Sequence, residues 1–262
     1  MSFSLPTAEE KAEYVLRQFD RIAQKYDLTN DAISMGMHHA WKKRAVSELG
    51  LKPDGTYLDV CCGTGDLTLR IAKNLSKNGK VFGLDFSPKM LAVAHQRLAR
   101  HASETAAEIT FKEGDALQLP FANGTFDGAI VSFGLRNVTD YQRGINEMTR
   151  VVKPGGKVIN LDLGKSTVPL FCQLFAFYFR QIVPLIGHAL QSDKQAYTYL
   201  PVSNSAYPNP QGISEIFKTA GLNDVKHISL ALGSVALHVG TVSHAGSSVD
   251  RSSSDKSSGD KI

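Results

Sequence analysis

Along the chain, apolar residues change spacing in a repeating way. Over residues 8–27, Ala12, Val15, Leu16, Phe19, Ile22 and Ala23 follow a helical period. Asn30 to Trp41 is mixed, and Trp41, Ala45, Val46 and Leu49 predict a second helix ending at Gly50. Short apolar runs then alternate with helix-period stretches. Tyr57–Val60 reads as a buried strand and Leu67, Leu69, Ile71 and Leu75 as a helix. Lys80–Asp85 is a strand, followed by a helix opened by Ser87-Pro88. Ile109–Lys112 and Phe126–Phe133 are strands. A helix capped by Asp140 carries Ile145, Met148, Val151 and Val152. Lys153-Pro-Gly-Gly156 turns into the strand Lys157–Leu163. Such alternation predicts an α/β fold with a mainly parallel sheet. Gln211–Ala220 predicts a last helix, with Gly221 past its end. Ile228–Leu232 and Val235–Val242, joined through Gly233-Ser234, predict an antiparallel hairpin.

Two stretches break the alternation. Residues 167–190 are very apolar and carry four Phe, interrupted by Gln173, Arg180 and Gln181 and cut at Pro184. They fall short of the ~18 uninterrupted apolar residues of a membrane span. The expectation is a helix that lines a greasy cavity or lies on a membrane. From Ser243 onward, Ser, Gly, Asp and Lys dominate, a composition that cannot bury enough apolar surface to fold. The domain reading is therefore a helical cap over residues 1–50, the α/β domain over 51–242 with an apolar insertion at 167–208, and a disordered tail over 243–262.

The chemistry gathers where strands end. Between the first strand and its helix stand Cys62-Gly63-Thr64-Gly65-Asp66. Glycines at this corner let backbone N–H groups approach a polar cofactor. A dinucleotide fingerprint would place a third glycine at position 68, which is Thr68, and would not ask for Asp59 ahead of the glycines. An acid there suits a cationic amine, such as the methionine end of S-adenosylmethionine (SAM). Asp85 lies 20 residues after Gly65, the distance at which an acid accepts ribose hydroxyls. Asp115, with its adjacent N–H, suits the adenine edge. In a parallel sheet all these positions fall at the carboxyl ends of strands, so Asp59, Asp85 and Asp115 are expected to line one crevice.

Composition narrows the field. The 262 residues, 42% hydrophobic and 21% charged, fit one sizeable globular domain. The net charge of +4 permits an anionic surface as partner, but no basic run with interleaved aromatics points to nucleic acid. Cys61, Cys62 and Cys172 form neither a disulfide framework nor a C-x-x-C metal spacing, so a reducing cytosol is the expected compartment. The start of the chain shows no signal pattern. The eight histidines lack metal-ligand spacing, no metal is expected, and the neighbours His38 and His39 are read as surface residues.

Lys25-Tyr-Asp with Asn30-Asp, Cys62–Asp66, Leu119-Pro-Phe121, Ser132-Phe-Gly-Leu-Arg-Asn-Val138, Arg150–Gly156, Ile182–Gly187, Tyr197-x-Tyr-Leu200 and Val235-Ala-Leu-His-x-Gly240 form a longer pattern. In these segments the chain resembles the ubiquinone/menaquinone biosynthesis C-methyltransferases, over roughly residues 14–242. The resemblance implies a seven-stranded, mostly parallel, Rossmann-like methyltransferase sheet whose last strand is antiparallel, with N-terminal helices and a helical insertion. It implies SAM held at Thr64, Asp85, Asp115, Ala116 and Ser132, with Gly63 and Gly65 in the loop. Cys61 stands where methyltransferases at large often carry the loop's first glycine, and Gly164 where a hydroxyl residue is common.

The implied reaction is methyl transfer to a ring carbon of a polyprenylated hydroquinone. Demethylmenaquinol is the favoured substrate. The alternative is the 2-methoxy-6-polyprenyl-1,4-benzoquinol of ubiquinone synthesis, or both. A SAM-binding scaffold that methylates nothing is the non-enzyme alternative, against which the intact acids and Arg136 argue. Arg136 is the expected phenolate stabiliser and Asn137 its helper. Tyr26, Phe175, Tyr178, Tyr197, Tyr199 and Tyr207 are expected to line the substrate site. The expected location is cytoplasmic, docked peripherally at the inner face of the membrane, with a homodimer left open. RNA and protein methylation are disfavoured, because no N-P-P-Y-like segment follows the fourth strand.

Overall fold

The computed structural model describes residues 8–191 and 203–244. One seven-stranded sheet organises it, in the spatial order β3-β2-β1-β4-β5-β7-β6. Its strands are β1 (Thr56–Val60), β2 (Lys80–Asp85), β3 (Glu108–Glu113), β4 (Phe126–Ser132), β5 (Val152–Leu163), β6 (Leu222–Leu230) and β7 (Val235–Val242). β1 pairs in parallel with β2 and β4, while β7 runs antiparallel to both β5 and β6. The chain thus reverses once, at the predicted hairpin.

Three helices precede the sheet: α1 (Ala8–Ile22), α2 (Tyr26–Ser34) and α3 (Met37–Glu48). Then follow α4 (Asp66–Ala72), α5 (Pro88–His101), α6 (Tyr141–Val151), α7 (Pro169–Phe177), α8 (Val183–Gln191) and α9 (Pro210–Thr219). The caps read from sequence act as such. Ser87 Oγ accepts from Met90 N–H at 3.1 Å, and Asp140 from Arg143 N–H at 2.9 Å.

Side chains alternate across β1, so the sheet carries a core on each face. Leu58 and Val60 join Ile145, Met148, Ile213 and Phe217 of α6 and α9. Tyr57 joins Ala45 and Val46 of α3 and Leu67 and Ile71 of α4. Each fully buried Leu or Ile here contributes roughly 1.5–3 kcal/mol. A third cluster, Ile22, Ala23, Met90, Phe179 and Val183, ties the N-terminal segment and α5 to the apolar insertion. It helps close the end of the sheet at which the site lies.

Two expectations need correction. The strand predicted to begin at Lys157 begins at Val152, because Phe126 pairs with Val152 and Gly128 with Lys157. The Pro-Gly-Gly segment bulges between those pairs, with Gly155 at φ 78°. Pro184 does not cut the apolar helix. A π turn at Tyr178–Ile182 precedes it, and Val183 N–H reaches back five residues to Tyr178 C=O. The helical run Pro169–Gly187 therefore spans 19 residues with mean hydropathy 1.4, as long and apolar as a bilayer-crossing helix, with 17% of it buried. The Ser-rich segment beyond residue 244 lies outside the described residues.

Candidate active site

Two cavities lie at the carboxyl ends of the central strands. The smaller, about 260 Å³, is lined by Cys61 and Gly63 after β1, Asp85 at the end of β2, Asp115 and Ala116 after β3, and Ser132 at the end of β4. The larger, about 510 Å³, takes in Arg136, Trp41, Phe175 and Tyr178. Tyr26, Ser132 and Phe133 line both, so the cavities meet at the end of β4. Helices α1 and α2 supply Ala12, Val15, Phe19 and Tyr26 to the smaller cavity.

Backbone geometry shapes this junction. Cys61 and Phe133, each one residue past its strand, both sit at φ 56°. Left-handed backbone in a non-glycine residue costs on the order of 1–3 kcal/mol and collects at functional sites. Gly134 makes room for Cys61, since a Cβ there would overlap the Cys61 side chain. Gly63, at φ 56°, has nothing within 4 Å of where a Cβ would stand, leaving a cradle open beside the smaller cavity. Gly65 serves packing instead: a Cβ would lie 2.7 Å from the Phe111 ring and 3.1 Å from Ala94. Gly164 leaves room in the same way for the carbonyl of Gly233 in the hairpin turn.

Asp85 is fixed by two backbone donors, Gly63 N–H at 2.8 Å and Ser87 N–H at 2.9 Å. Burial nevertheless pushes its carboxyl up to about 6. Asp115 accepts Leu117 N–H at 2.8 Å beside the buried Ala116. Ser132 Oγ and Asn137 Oδ1 are buried without a hydrogen-bond partner among the described residues, and both side chains line the smaller cavity. Unsatisfied polar atoms beside a glycine cradle and two strand-end acids fit a polar nucleoside ligand. Thr64 is buried and donates to Asp27 at 2.8 Å, lining neither cavity.

Asp59 departs from expectation. It is 1% exposed, lines neither cavity, and accepts from Thr68 Oγ1 at 2.6 Å. The alternation that sends Leu58 and Val60 one way sends Asp59 to the α4 face with Tyr57. Burial holds its carboxyl at about 7. Only two of the three carboxylates, Asp85 and Asp115, share the crevice.

In the larger cavity, Arg136 Nη1 bonds Asp162 Oδ1 and Phe133 C=O, both at 2.7 Å, and its backbone N–H reaches Asp162 Oδ2 at 3.2 Å. The guanidinium is therefore paired and held in place by the end of β5. Asn137 faces the smaller cavity rather than the larger. Tyr26, Phe175 and Tyr178 line the larger one, and Tyr178 Oη donates to Ile33 C=O at 2.7 Å, strapping the insertion to α2. Burial raises the Tyr26 phenol. Tyr207 does not reach either cavity: it is a core residue, 1% exposed, edge-on to Tyr141 and bonded by Asn160 at 3.1 Å. Tyr197 and Tyr199 lie outside the described residues.

His38 was expected at the surface and is 6% exposed, on the wall of the larger cavity with Trp41 and Lys42. Extending the Trp41–Ala45 stripe back by one turn would have found it. The cavity also takes in Leu163, Leu232 and Ser234, which no spacing marked.

A family model described as the ubiE/COQ5 methyltransferase family matches residues 7–242. The chain is 42% identical over 237 residues to a demethylmenaquinone methyltransferase of Desulfitobacterium hafniense, covering 90% of this chain and 92% of that one. It is 40% identical to the demethylmenaquinone methyltransferase of Bacillus cytotoxicus, covering 88% and 97%. In fold it is similar to a SAM-dependent methyltransferase from Thermotoga maritima (TM-score 0.55, 16% identity, covering 87% of this chain and 99% of that one).

Proposed function

The chain belongs to the ubiE/COQ5 methyltransferase family, and from that premise we propose that it C-methylates demethylmenaquinol with SAM, yielding menaquinol. The observation that carries this reading is the meeting, at Tyr26, Ser132 and Phe133, of a cavity that holds two strand-end acids and a larger one walled mainly by apolar side chains. SAM supplies an electrophilic methyl on a sulfonium. Asp85, Asp115, Ala116 and Ser132 would hold the nucleoside in the smaller cavity, where Gly63 leaves space. The ring lies in the larger cavity among Tyr26, Trp41, Phe133 and Phe175. These apolar walls exclude water and hold the ring in reach of the junction.

Arg136 stabilises charge on the ring oxygen as it develops. Asp162 fixes the guanidinium and offsets part of its charge, so Arg136 acts as a positioned dipole rather than as a free cation. Asn137, on the cofactor side, orients the loop after β4.

The insertion suits a substrate with an isoprenoid tail. Leu170, Leu174, Phe177 and Leu185 of α7 and α8 are 60–70% exposed, and Phe171, Leu174 and Phe175 also line the larger cavity. Docking of this face on the cytoplasmic surface of the membrane lets the tail stay in lipid while the ring enters. The helices before residue 51 then serve as the cap over both cavities.

Purified protein, methyl-labelled SAM and the two reduced quinones test the reading. Label on the ring of demethylmenaquinol is the expected product. Label only on the methoxy-benzoquinol would move the chain to the ubiquinone step, and label on neither would refute the reading.

A further inference from the structure

The geometry points to His38 as the proton acceptor of the reaction, taking the hydroxyl proton of the quinol on Nε2 while Ser34 holds the imidazole and Asp31 stands beside it. This rests on the larger cavity being the quinol site. His38 stands on α3 in that cavity's wall, across the same space as Arg136 and Tyr26. Its tautomer follows from a chain of hydrogen bonds. Ser34 Oγ donates to Asn30 C=O at 2.7 Å, so its single proton is committed. The 2.7 Å bond between Ser34 Oγ and His38 Nδ1 must then run from Nδ1–H to the oxygen. A neutral imidazole protonated on Nδ1 keeps its lone pair on Nε2.

Asp31 completes the arrangement. Its Oδ1 lies 3.6 Å from His38 Nε2, too far for a hydrogen bond, and 2.8 Å from His39 Nε2. Arg70 bonds the other ring nitrogen of His39 at 2.7 Å. The carboxylate stands near Nε2 without occupying its lone pair, and its charge favours the imidazolium once a proton arrives. Burial, Lys42 and His39 hold His38 at about 4, while Asp31 and Asp66 act in the opposite sense. At neutral pH the ring is therefore an uncharged base.

A weak base suffices because the proton becomes acidic as the methyl arrives. The ring carbon forms its bond to the methyl while the carbon–sulfur bond breaks, that electron pair remaining on sulfur. The adjacent hydroxyl gives its proton to Nε2, and the O–H electrons become the second bond of a carbonyl. This leaves a neutral cyclohexadienone. The proton on the methylated carbon then leaves to water, and the carbonyl oxygen takes back the proton held on Nε2. The aromatic diol is restored, with one proton released per methyl transferred.

His38→Gln and His38→Ala test the assignment. Turnover should fall about 10²–10⁴-fold in both, with quinol KM and SAM affinity changed less than about threefold, as expected when an interaction made only in the transition state is lost. Added imidazole should restore turnover in His38→Ala but not in His38→Gln. Separately, ¹⁵N NMR of the wild-type protein with SAM absent should show His38 Nε2 as an unprotonated nitrogen that responds to a bound naphthol. Turnover within threefold of wild type, a loss carried by quinol KM, or a protonated Nε2 would overturn the proposal. If the wild-type protein methylated neither quinol, the functional reading would fail, and the NMR tautomer would still decide the state of His38.

Discussion

Replacing Asp59 with Asn separates a buried structural acid from a ligand. In the folded protein burial raises this carboxyl from 3.8 to about 7, against the hydrogen bond from Thr68. An acid with a raised folded value contributes stability that is full below pH 3.8 and is lost as the pH climbs through about 7. Each pH unit across that window is worth about 1.4 kcal/mol, so the ionised form costs about 4 kcal/mol at pH 8. Asn has the same shape, its Oδ1 still accepts from Thr68, and it never ionises. The variant should match wild type near pH 4 and exceed it by up to about 4 kcal/mol at pH 8. For a domain of this size that is about 10 °C in melting temperature. Taking the difference between the two proteins cancels the similar but smaller pH response of Asp85. Thermal melts from pH 4 to pH 8, with SAM titration calorimetry at pH 8, make the assay. SAM affinity should change less than about threefold. A melting difference that does not vary with pH, or a large loss of SAM affinity, would refute the reasoning and return Asp59 to the amine site.

Other expectations follow from the same geometry. Arg136→Ala should cut turnover at least about 100-fold and leave SAM affinity unchanged in calorimetry. It should also lower stability by roughly 3–5 kcal/mol in urea melts, because Asp162 is left buried and unpaired. Gly83→Ala should destabilise by about 1–3 kcal/mol, since its Cβ would meet the Phe111 ring at 2.7 Å and Thr68 Oγ1 at 2.9 Å. Tyr207→Phe should lose about 1 kcal/mol with the Asn160 bond and keep full turnover on either quinol, as a core residue would. Leu174→Asp with Phe177→Asp should abolish sedimentation with anionic vesicles while the melting temperature stays within about 2 °C, because both side chains are exposed.

Most of the fold was legible because local signals agreed with one another. Ser87-Pro88 marks a helix start that the structure uses as a cap, and the strand Lys80–Asp85 has the same bounds in sequence and structure. The positions that misled are those where two residues far apart decide the outcome. Asp59 reads as a ligand until Thr68, nine residues on, turns out to be its donor. In the glycine spacing of the loop that threonine reads only as a missing glycine. Pro184 reads as a break because the π turn that accommodates it has no sequence mark of its own. Tyr207 reads as one of the aromatics lining the substrate site, and only the contact with Asn160 on β5 places it in the core. The apolar stripe that starts at Trp41 hides His38, because α3 begins one turn earlier, at Met37. The smaller cavity was the more readable of the two, since strand ends in a parallel sheet converge by rule. The larger is assembled from α2, α3, the insertion and the hairpin turn, and no single motif brings those together.

The protein's single tryptophan, Trp41, lies in the wall of the proposed quinol site, edge-tilted to Phe133 at 6.3 Å. Titrating its fluorescence with a long-chain naphthoquinone, with and without S-adenosylhomocysteine, tests directly whether the two cavities form one reaction chamber. Saturable quenching whose midpoint shifts when the nucleoside is present is the predicted result. An unquenched Trp41 in a preparation that still methylates the quinol would place the ring elsewhere and contradict the account.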